Sequence, residues 1–203
     1  PLIIKVASIQ SARMQVYFID NEDYFHRKYV NTDDEGNYFS DNDERAIFFA
    51  RGVLETVKKL RWKPDIIHCQ GWISYFLPIY LKKVYHEDPI FTESKVVLSI
   101  YNEGSDQVFN EDTRSKVIVP GIRNKDLETI NPANGINLAK LAIQYANGII
   151  LGSEEIVPEL KELISGSSLK VLPYIDVNDP ESAYIKDYKN FYDQILGKNE
   201  KKD

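Results

Sequence analysis

Cysteine, basic charge and long apolar runs are all scarce in this 203-residue chain, and each shortage excludes a class of protein. The single cysteine, Cys69, cannot form an internal disulfide framework and suits a reducing compartment, so we expect a cytoplasmic protein. The net charge of −6 argues against a nucleic-acid partner, because neutralising phosphates needs a basic face. No apolar stretch approaches the roughly 20 residues that span a bilayer, so we expect neither a membrane partner nor a secretory leader.

The sequence also lacks the short motifs of several common enzyme classes. It has no glycine-rich dinucleotide fingerprint, no P-loop and no G-x-S-x-G elbow. With three histidines and no H-x-x-x-H or C-x-x-C pair, we expect no metal site and no cofactor. Cys69 could act as a nucleophile, but the end of an apolar strand favours a small buried thiol. The acidic run from Asp41 to Glu44 lacks the ligand alternation of a calcium loop, and a helix start explains it better.

What the chain does contain is a regular alternation of short apolar strands and helices. A β-α-β order with right-handed crossovers makes the later strands parallel. We therefore predict an α/β, Rossmann-like, doubly wound fold with a mostly parallel sheet. One domain covers residues 1–203 in this interpretation, with a frayed tail at 197–203. The strands are predicted at 2–9, 13–19, 65–69, 96–101, 149–151 and 169–172, the first two forming a hairpin.

Capping residues and prolines indicate where the helices begin and end. Asp41, three residues before Glu44, predicts a capping box, and Pro64 stops the helix that follows. The next helix, from about Trp72 to His86, either starts late with Pro78 in its first turn or is kinked there. Further helical segments are predicted near 126–130, over 138–145, from Ser153 and from Asp179-Pro180.

Polar side chains follow three of the predicted strands at their carboxyl ends. In open α/β sheets ligands bind beyond these ends, so we expect the side chains to converge on one rim. Planar amides and imidazoles can hydrogen-bond sugar hydroxyls, and an aromatic face can cover a sugar's C–H face. The alternative is that His68 only satisfies nearby backbone groups, as most buried polar groups do. The rim residues are His68, Gln70, Gly71 and Trp72 after the first of these strands, Tyr101 and Asn102 after the second, and Ser153 and Glu154 after the third.

Five segments of the chain follow one known pattern in order. They match D-N-x-x-R-F-x-F-F at 41–49, P-D-I-I-H-x-H-D-W at 64–72, L-L-P-x-Y-L-K at 77–82, T-I-H-N at 99–102 and A-x-x-Y-A-D-x-V-x-x-V-S-x-x-Y at 139–155. Together they resemble the N-terminal catalytic domain of bacterial starch and glycogen synthases, which transfer glucose from ADP-glucose to a growing α-1,4-glucan. The resemblance implies the N-terminal half of a glycosyltransferase-B fold without its first strand.

The resemblance also implies roles for individual residues, with ADP-glucose and an α-glucan as partners. His68 and Gln70 would be the catalytic residues that hold the transferred glucose, and Tyr101 and Asn102 would face the acceptor. Arg45 would organise the rim. The remaining residues implied in substrate binding are Asn42, Gly71, Trp72, Ser153 and Glu154.

Three positions depart from the family pattern. Gln70 stands where the family has its second His, Gly71 replaces the following Asp, and Tyr101 replaces the His of T-I-H-N. The family's K-x-G-G-L loop would lie upstream of Pro1, and its nucleotide is held mostly by a second domain. We therefore expect the isolated chain to be inactive unless a separate nucleotide-binding domain, or another copy in a homo-oligomer, completes the site.

Two functions from different classes stay open. In the first, the chain is the sugar- and acceptor-facing half of a glucosyltransferase. In the second, it is a non-catalytic relative that binds glucan or another protein in glycogen metabolism, which the substitutions at Gln70 and Tyr101 favour. A third interpretation, an unrelated α/β protein with chance matches, is opposed by the order in which the motifs occur.

Overall fold

The computed structural model describes residues 1–179, 181 and 183–198, which form a hairpin, a parallel sheet and the helices around them. None of the described helices is both long enough and apolar enough to cross a membrane. The strands are β1 (Ile3–Ile9), β2 (Met14–Asp20), β3 (Ile66–Gln70), β4 (Lys95–Ile100), β5 (Gly148–Leu151) and β6 (Lys170–Leu172). The α-helices are α1 (Glu22–Phe25), α2 (Asn42–Leu60), α3 (Leu77–Lys83), α4 (Thr113–Val117), α5 (Gly135–Gln144), α6 (Pro158–Ser165) and α7 (Tyr184–Ile195).

Four of the strands form a parallel sheet in the order β3-β4-β5-β6, which confirms the predicted α/β fold. The register pairs Cys69 with Leu98 and Leu98 with Ile149, and all three side chains are buried. Apolar strands covered on both faces are typical of parallel sheets. Strands β1 and β2 pair antiparallel, as the predicted hairpin requires.

Helices cover both faces of this sheet. On one face Leu98 and Ile149 join the main core with side chains of α2, α3 and α5. On the other face Val97 and Ile150 pack against Phe191 of α7. The two helical layers enclose the middle strands β4 and β5 and leave β3 at one edge of the sheet.

Helix α2 begins at Asn42, but the capping box predicted from Asp41 and Glu44 is wrong. Asp41 is the N-cap residue, yet its side chain makes no capping hydrogen bond. Its Oδ1 instead accepts a hydrogen bond from Nη1 of Arg27 at 2.8 Å. The Arg27 guanidinium also lies over the Phe39 ring, 4.6 Å from its centroid. This ion pair, formed across 14 residues, fastens the segment before α2 to the start of the helix.

The segment after β3 contains two short helices in place of one long one. Residues Trp72–Ser74 form a 3-10 turn, and α3 then begins at Leu77 with Pro78 in its first turn. The late start was therefore the right alternative, since proline fits the first turn of a helix at no cost in hydrogen bonds. The helix ends at Lys83, three residues before the predicted end.

The later helices differ from the predicted ones mainly at their starts. Helix α6 begins at Pro158 and not at Ser153, whose hydroxyl accepts a hydrogen bond from the Asn102 amide and does not cap a helix. Helix α7 begins at Tyr184, while the predicted start at Pro180 and the tail from 199 to 203 lie outside the described residues. The predicted patch at 126–130 is a 3-10 helix over Asn124–Ile130, and α4 was not predicted.

Candidate functional site

The carboxyl ends of β3, β4 and β5 lie side by side, because parallel strands all point the same way. The hydroxyl of Tyr101, after β4, donates a hydrogen bond to Oε1 of Gln70 at the end of β3, at 3.2 Å. The backbone N–H of Asn102 donates to Oγ of Ser153, after β5, also at 3.2 Å. The predicted convergence of three strand ends on one rim is therefore present in the fold.

A shallow depression of about 260 Å³ opens between the ends of β3 and β4. We call it the rim depression. Its lining offers an amide, a phenol and a carboxylate beside apolar surface, and it contains neither lysine nor arginine among the described residues. Such a lining can hydrogen-bond an uncharged polar ligand but offers no positive charge to a phosphate. The lining residues are Gln70, Gly71, Trp72, Ile73, Tyr101 and Glu103.

Trp72 forms a wall of the rim depression and is not an open stacking platform. Only 5% of its surface is exposed. Its ring packs on Gly104, where a Cβ atom would lie 2.9 Å from Cδ1 of the indole, and Gly104 has a φ of +78°. The broad aromatic face expected from the sequence is thus mostly covered, and Tyr101 is the more accessible aromatic ring.

His68 lies below the rim, in the middle of β3, and its side chain points to the sheet face that α7 covers. Its Nδ1 is 2.7 Å from the hydroxyl of Tyr192 in α7, and its Nε2 is 2.7 Å from Oγ of Ser99 in β4. Burial lowers the pKa of His68 to about 4, so the ring is neutral at neutral pH. Because both ring nitrogens are occupied by protein hydroxyls, this geometry favours the alternative in which His68 only satisfies nearby polar groups of the protein. Direct contact of His68 with a sugar stays a prediction.

Asn42 and Arg45 form a buried polar cluster behind the rim. Nη1 of Arg45 donates to Oδ1 of Asn42 at 2.6 Å, and Nε donates to the carbonyl of Tyr24 at 2.9 Å. Nδ2 of Asn42 donates to the side chain of Gln107, in the loop after β4. Both Asn42 and Arg45 are at most 2% exposed, so they hold the rim loop in place and do not line the rim depression.

The remaining predicted residues divide between the rim and its surroundings. Ser153 supports the backbone of Asn102, as described above, and Gly71 lines the rim depression with a φ of +74°. Glu154 is exposed and lies outside the lining.

Sequence reasoning missed Glu103, which lines the rim depression and whose Oε1 accepts a hydrogen bond from Nδ2 of Asn31 at 3.0 Å. Glu103 directly follows Asn102 after the end of β4, and this position could have indicated that it belongs to the rim.

Two other chemistries considered from the sequence find no support in the described residues. Cys69 is 2% exposed, and burial raises the pKa of its thiol to about 12, so it is not activated as a nucleophile. Across the described part of the chain, no group of three or more His, Cys, Asp or Glu side chains is arranged to hold a metal ion. Larger cavities, one of about 710 Å³, lie along the hairpin and α2, away from the strand ends.

Comparison with known proteins shows which family the sequence matches. Residues 2–172 match the family described as the starch synthase catalytic domain. The chain is 34% identical to the glycogen synthase of Chlorobium phaeobacteroides over 99% of the chain and 44% of that protein. It is 36% identical to the glycogen synthase of Clostridium perfringens over 75% of the chain and 30% of that protein. It is also 45% identical to the glycogen synthase of Chlorobium limicola over 50% of the chain, but this match covers only 21% of that protein.

A solved structure shares the fold. It is the catalytic domain of starch synthase IV from Arabidopsis thaliana bound to ADP and acarbose, with a TM-score of 0.65 and 19% identity. The match covers 86% of this chain and 36% of that one. The chain thus spans less than half the length of each of these relatives.

Proposed function

Because the chain belongs to the starch synthase catalytic-domain family, we propose that it is the sugar-facing part of a glucosyltransferase that extends an α-1,4-glucan from ADP-glucose. The observation that carries this proposal is the meeting of Gln70 and Tyr101 at one rim, with Asn102 fastened beside them, next to a depression whose described lining offers polar groups and no positive charge. Residues 1–203 act as one N-terminal domain in this proposal.

The charge of the rim depression decides which part of ADP-glucose it suits. A glucosyl group and a glucan are uncharged and rich in hydroxyls, which match an amide, a phenol and a carboxylate. The diphosphate carries negative charge, and the described lining offers only the acidic Glu103 among its charged side chains. The diphosphate must therefore be bound elsewhere, by a nucleotide-binding domain or by a neighbouring copy that supplies cationic groups.

The reaction joins the acceptor hydroxyl oxygen of the glucan to C1 of the donor glucose. The bond from C1 to the diphosphate oxygen breaks, the electron pair leaves with the diphosphate, and the acceptor oxygen gives its proton to the departing diphosphate. The transition state resembles an oxocarbenium ion, and positioned hydrogen-bond donors lower its energy by acting on the negative charge that develops on the departing diphosphate. Gln70, with Tyr101 bonded to it, would hydrogen-bond the sugar where the donor glucose meets the acceptor glucan, and Asn102 would face the acceptor.

His68 and the cluster of Asn42 and Arg45 support these groups from behind in this proposal. His68 links β3 to β4 and α7, and Arg45 holds the start of α2. They therefore contribute to the reaction by holding the rim in position and not by contact with the sugar.

Two measurements with the complete gene product test the proposal. Maltoheptaose binding is measured by titration calorimetry, and glucose transfer from radiolabelled ADP-glucose to maltoheptaose is measured in the same preparation. We expect both, and we expect Gln70→Ala to weaken both in a protein that unfolds at the wild-type temperature. Absence of maltoheptaose binding would contradict the proposal outright. Glucan binding without any transfer would support the non-catalytic, glucan-binding alternative.

A further inference from the structure

The hydrogen bond from Tyr101 to Gln70 joins two residues that line the rim depression and occupies one end of the Gln70 amide. A glutamine side chain has an acceptor oxygen at one end and two N–H donors at the other. The Tyr101 hydroxyl donates to Oε1 of Gln70 at 3.2 Å, so the acceptor end is occupied by the phenol. The Nε2 group, with its two donors, is the end left for a ligand.

Tyr101 is held more firmly than Gln70. Its ring rests against Gly152 at the end of β5, where a Cβ atom would lie 2.6 Å from Cε1 of the phenol ring. The next residue, Asn102, is fastened to Ser153 through its backbone N–H. Gln70, by contrast, is an exposed side chain at the end of the edge strand β3. The phenol is thus the fixed partner, and the amide is the partner that it orients.

We propose that Tyr101 is a positioning residue that presents the Nε2 donors of Gln70 to an acceptor oxygen of the bound sugar. This inference rests on the proposed function, because the ligand is the uncharged sugar that the rim depression suits. Holding a side chain in its bound conformation before the ligand arrives avoids the entropy cost of ordering it on binding. That cost corresponds to roughly a threefold to tenfold difference in affinity.

A double-mutant cycle tests whether Tyr101 acts through Gln70. The dissociation constant for maltoheptaose is measured for the wild type, Tyr101→Phe, Gln70→Ala and the double variant. Tyr101→Phe removes only the hydroxyl and should weaken binding by roughly threefold to tenfold. In the Gln70→Ala background the same change should have no further effect, because the amide that Tyr101 orients is gone. Full additivity of the two effects would overturn the proposal.

Tyr38→Phe is the matched control. It also removes a tyrosine hydroxyl that bonds to a neighbour near this edge, Oδ1 of Asp106 at 2.6 Å, but Tyr38 does not line the rim depression. Its effect on maltoheptaose binding should be small and the same with and without Gln70→Ala. A coupling to Gln70 as large as that of Tyr101 would show that loss of any nearby hydroxyl suffices, which would also overturn the proposal.

A second readout separates failure of this inference from failure of the proposed function. In ¹H–¹⁵N spectra of the free protein, the two Nε2 protons of Gln70 should be displaced from the chemical shifts of a mobile, exposed glutamine in the wild type. In Tyr101→Phe they should approach the values of a freely rotating glutamine. If the wild type binds maltoheptaose but its Gln70 amide signals are the same as those of Tyr101→Phe, only the positioning role is refuted. If the signals differ between the two proteins but maltoheptaose does not bind, the proposal of a sugar ligand and the proposed function are refuted. The contact between Tyr101 and Gln70 is then still established.

Discussion

Two groups of polar residues come from the same set of family-like segments but occupy different environments. The inner group consists of Asn42, Arg45 and His68, whose side chains find their partners within the protein. The rim group consists of Gln70 and Tyr101, which bond to one another beside an open depression. The inner residues make their hydrogen bonds within the fold, whereas Gln70 at the rim keeps its Nε2 donors for a ligand.

This difference shows that one sequence motif can contain both residues that support the fold and residues that face a ligand. His68 and Gln70 are two residues apart on β3, so their side chains leave the strand on the same side. His68 lies under α7, however, while Gln70 stands at the end of the strand, where the helix no longer covers it. Substitutions in the inner group should therefore act on stability, and those in the rim group on binding.

The largest effect should come from removing the charge at the centre of the inner group. Arg45→Met leaves Oδ1 of Asn42 and the Tyr24 carbonyl without their donor. We expect the free energy of unfolding to fall by about 3 kcal/mol, since loss of one partner strands buried polar groups. Urea unfolding measures this change. Arg51→Met, at an exposed position on the same helix, should stay within about 0.5 kcal/mol of wild type, and equal losses in both variants would contradict the assignment.

The next largest effects are the losses of stability expected on substituting two glycines that flank the rim depression. Gly71 and Gly104 both have positive φ, but only at Gly104 would a new Cβ meet a neighbour, the indole of Trp72. Gly71→Ala should cost about 1 kcal/mol from backbone conformation alone. Gly104→Ala should cost about 2 kcal/mol, because the wall of the rim depression must also shift. Thermal unfolding ranks the two, and a larger loss at Gly71 would refute the packing of Trp72 described here.

A smaller effect depends on pH through His68. Its pKa is lowered to about 4 in the folded protein from 6.5 when exposed, so the unfolded state binds more protons between these values. Stability must therefore fall as pH falls from 7 towards 4. For a partly exposed ring we expect about 1 kcal/mol between pH 7 and pH 5. His68→Leu should lack this part of the pH dependence in urea unfolding, and unchanged curves in the variant would argue against a buried neutral imidazole.

The smallest effect is expected at Glu154, which is exposed and outside the lining of the rim depression. Glu154→Gln should change the free energy of unfolding by less than about 0.5 kcal/mol. It should also leave the dissociation constant for maltoheptaose within about twofold, which is about 0.4 kcal/mol. A tenfold loss of affinity would place Glu154 in the binding site, as the family resemblance implies.

Much of the fold could be predicted from the sequence, because strand periodicity and proline positions are local signals. The hairpin, the parallel strands and the start of α3 at Pro78 follow from such signals. The start of α6 could not, since Ser153 is engaged by the amide of Asn102, 51 residues away. Asp41 fails as a side-chain cap for the same reason, because Arg27 reaches it from outside the local window.

The sequence indicates which residues stand at the strand ends, but less of how their side chains are placed. Sequence order places Gln70, Tyr101 and Asn102 at strand ends, and parallel pairing then brings those ends together. The burial of His68 and Trp72 could not be predicted, because it depends on α7 and on the loop that carries Gly104. Both are contacts between segments distant in sequence.

The central claim is that the rim group binds the sugar and the inner group supports it. The measurement that tests this most directly is the dissociation constant for maltoheptaose of Gln70→Ala and of His68→Leu, with both proteins shown to be folded. We predict a loss of at least about fivefold for Gln70→Ala, as expected for a lost hydrogen bond worth about 1 kcal/mol, and a value within about twofold of wild type for His68→Leu. Wild-type affinity in Gln70→Ala together with abolished binding in His68→Leu would contradict the account.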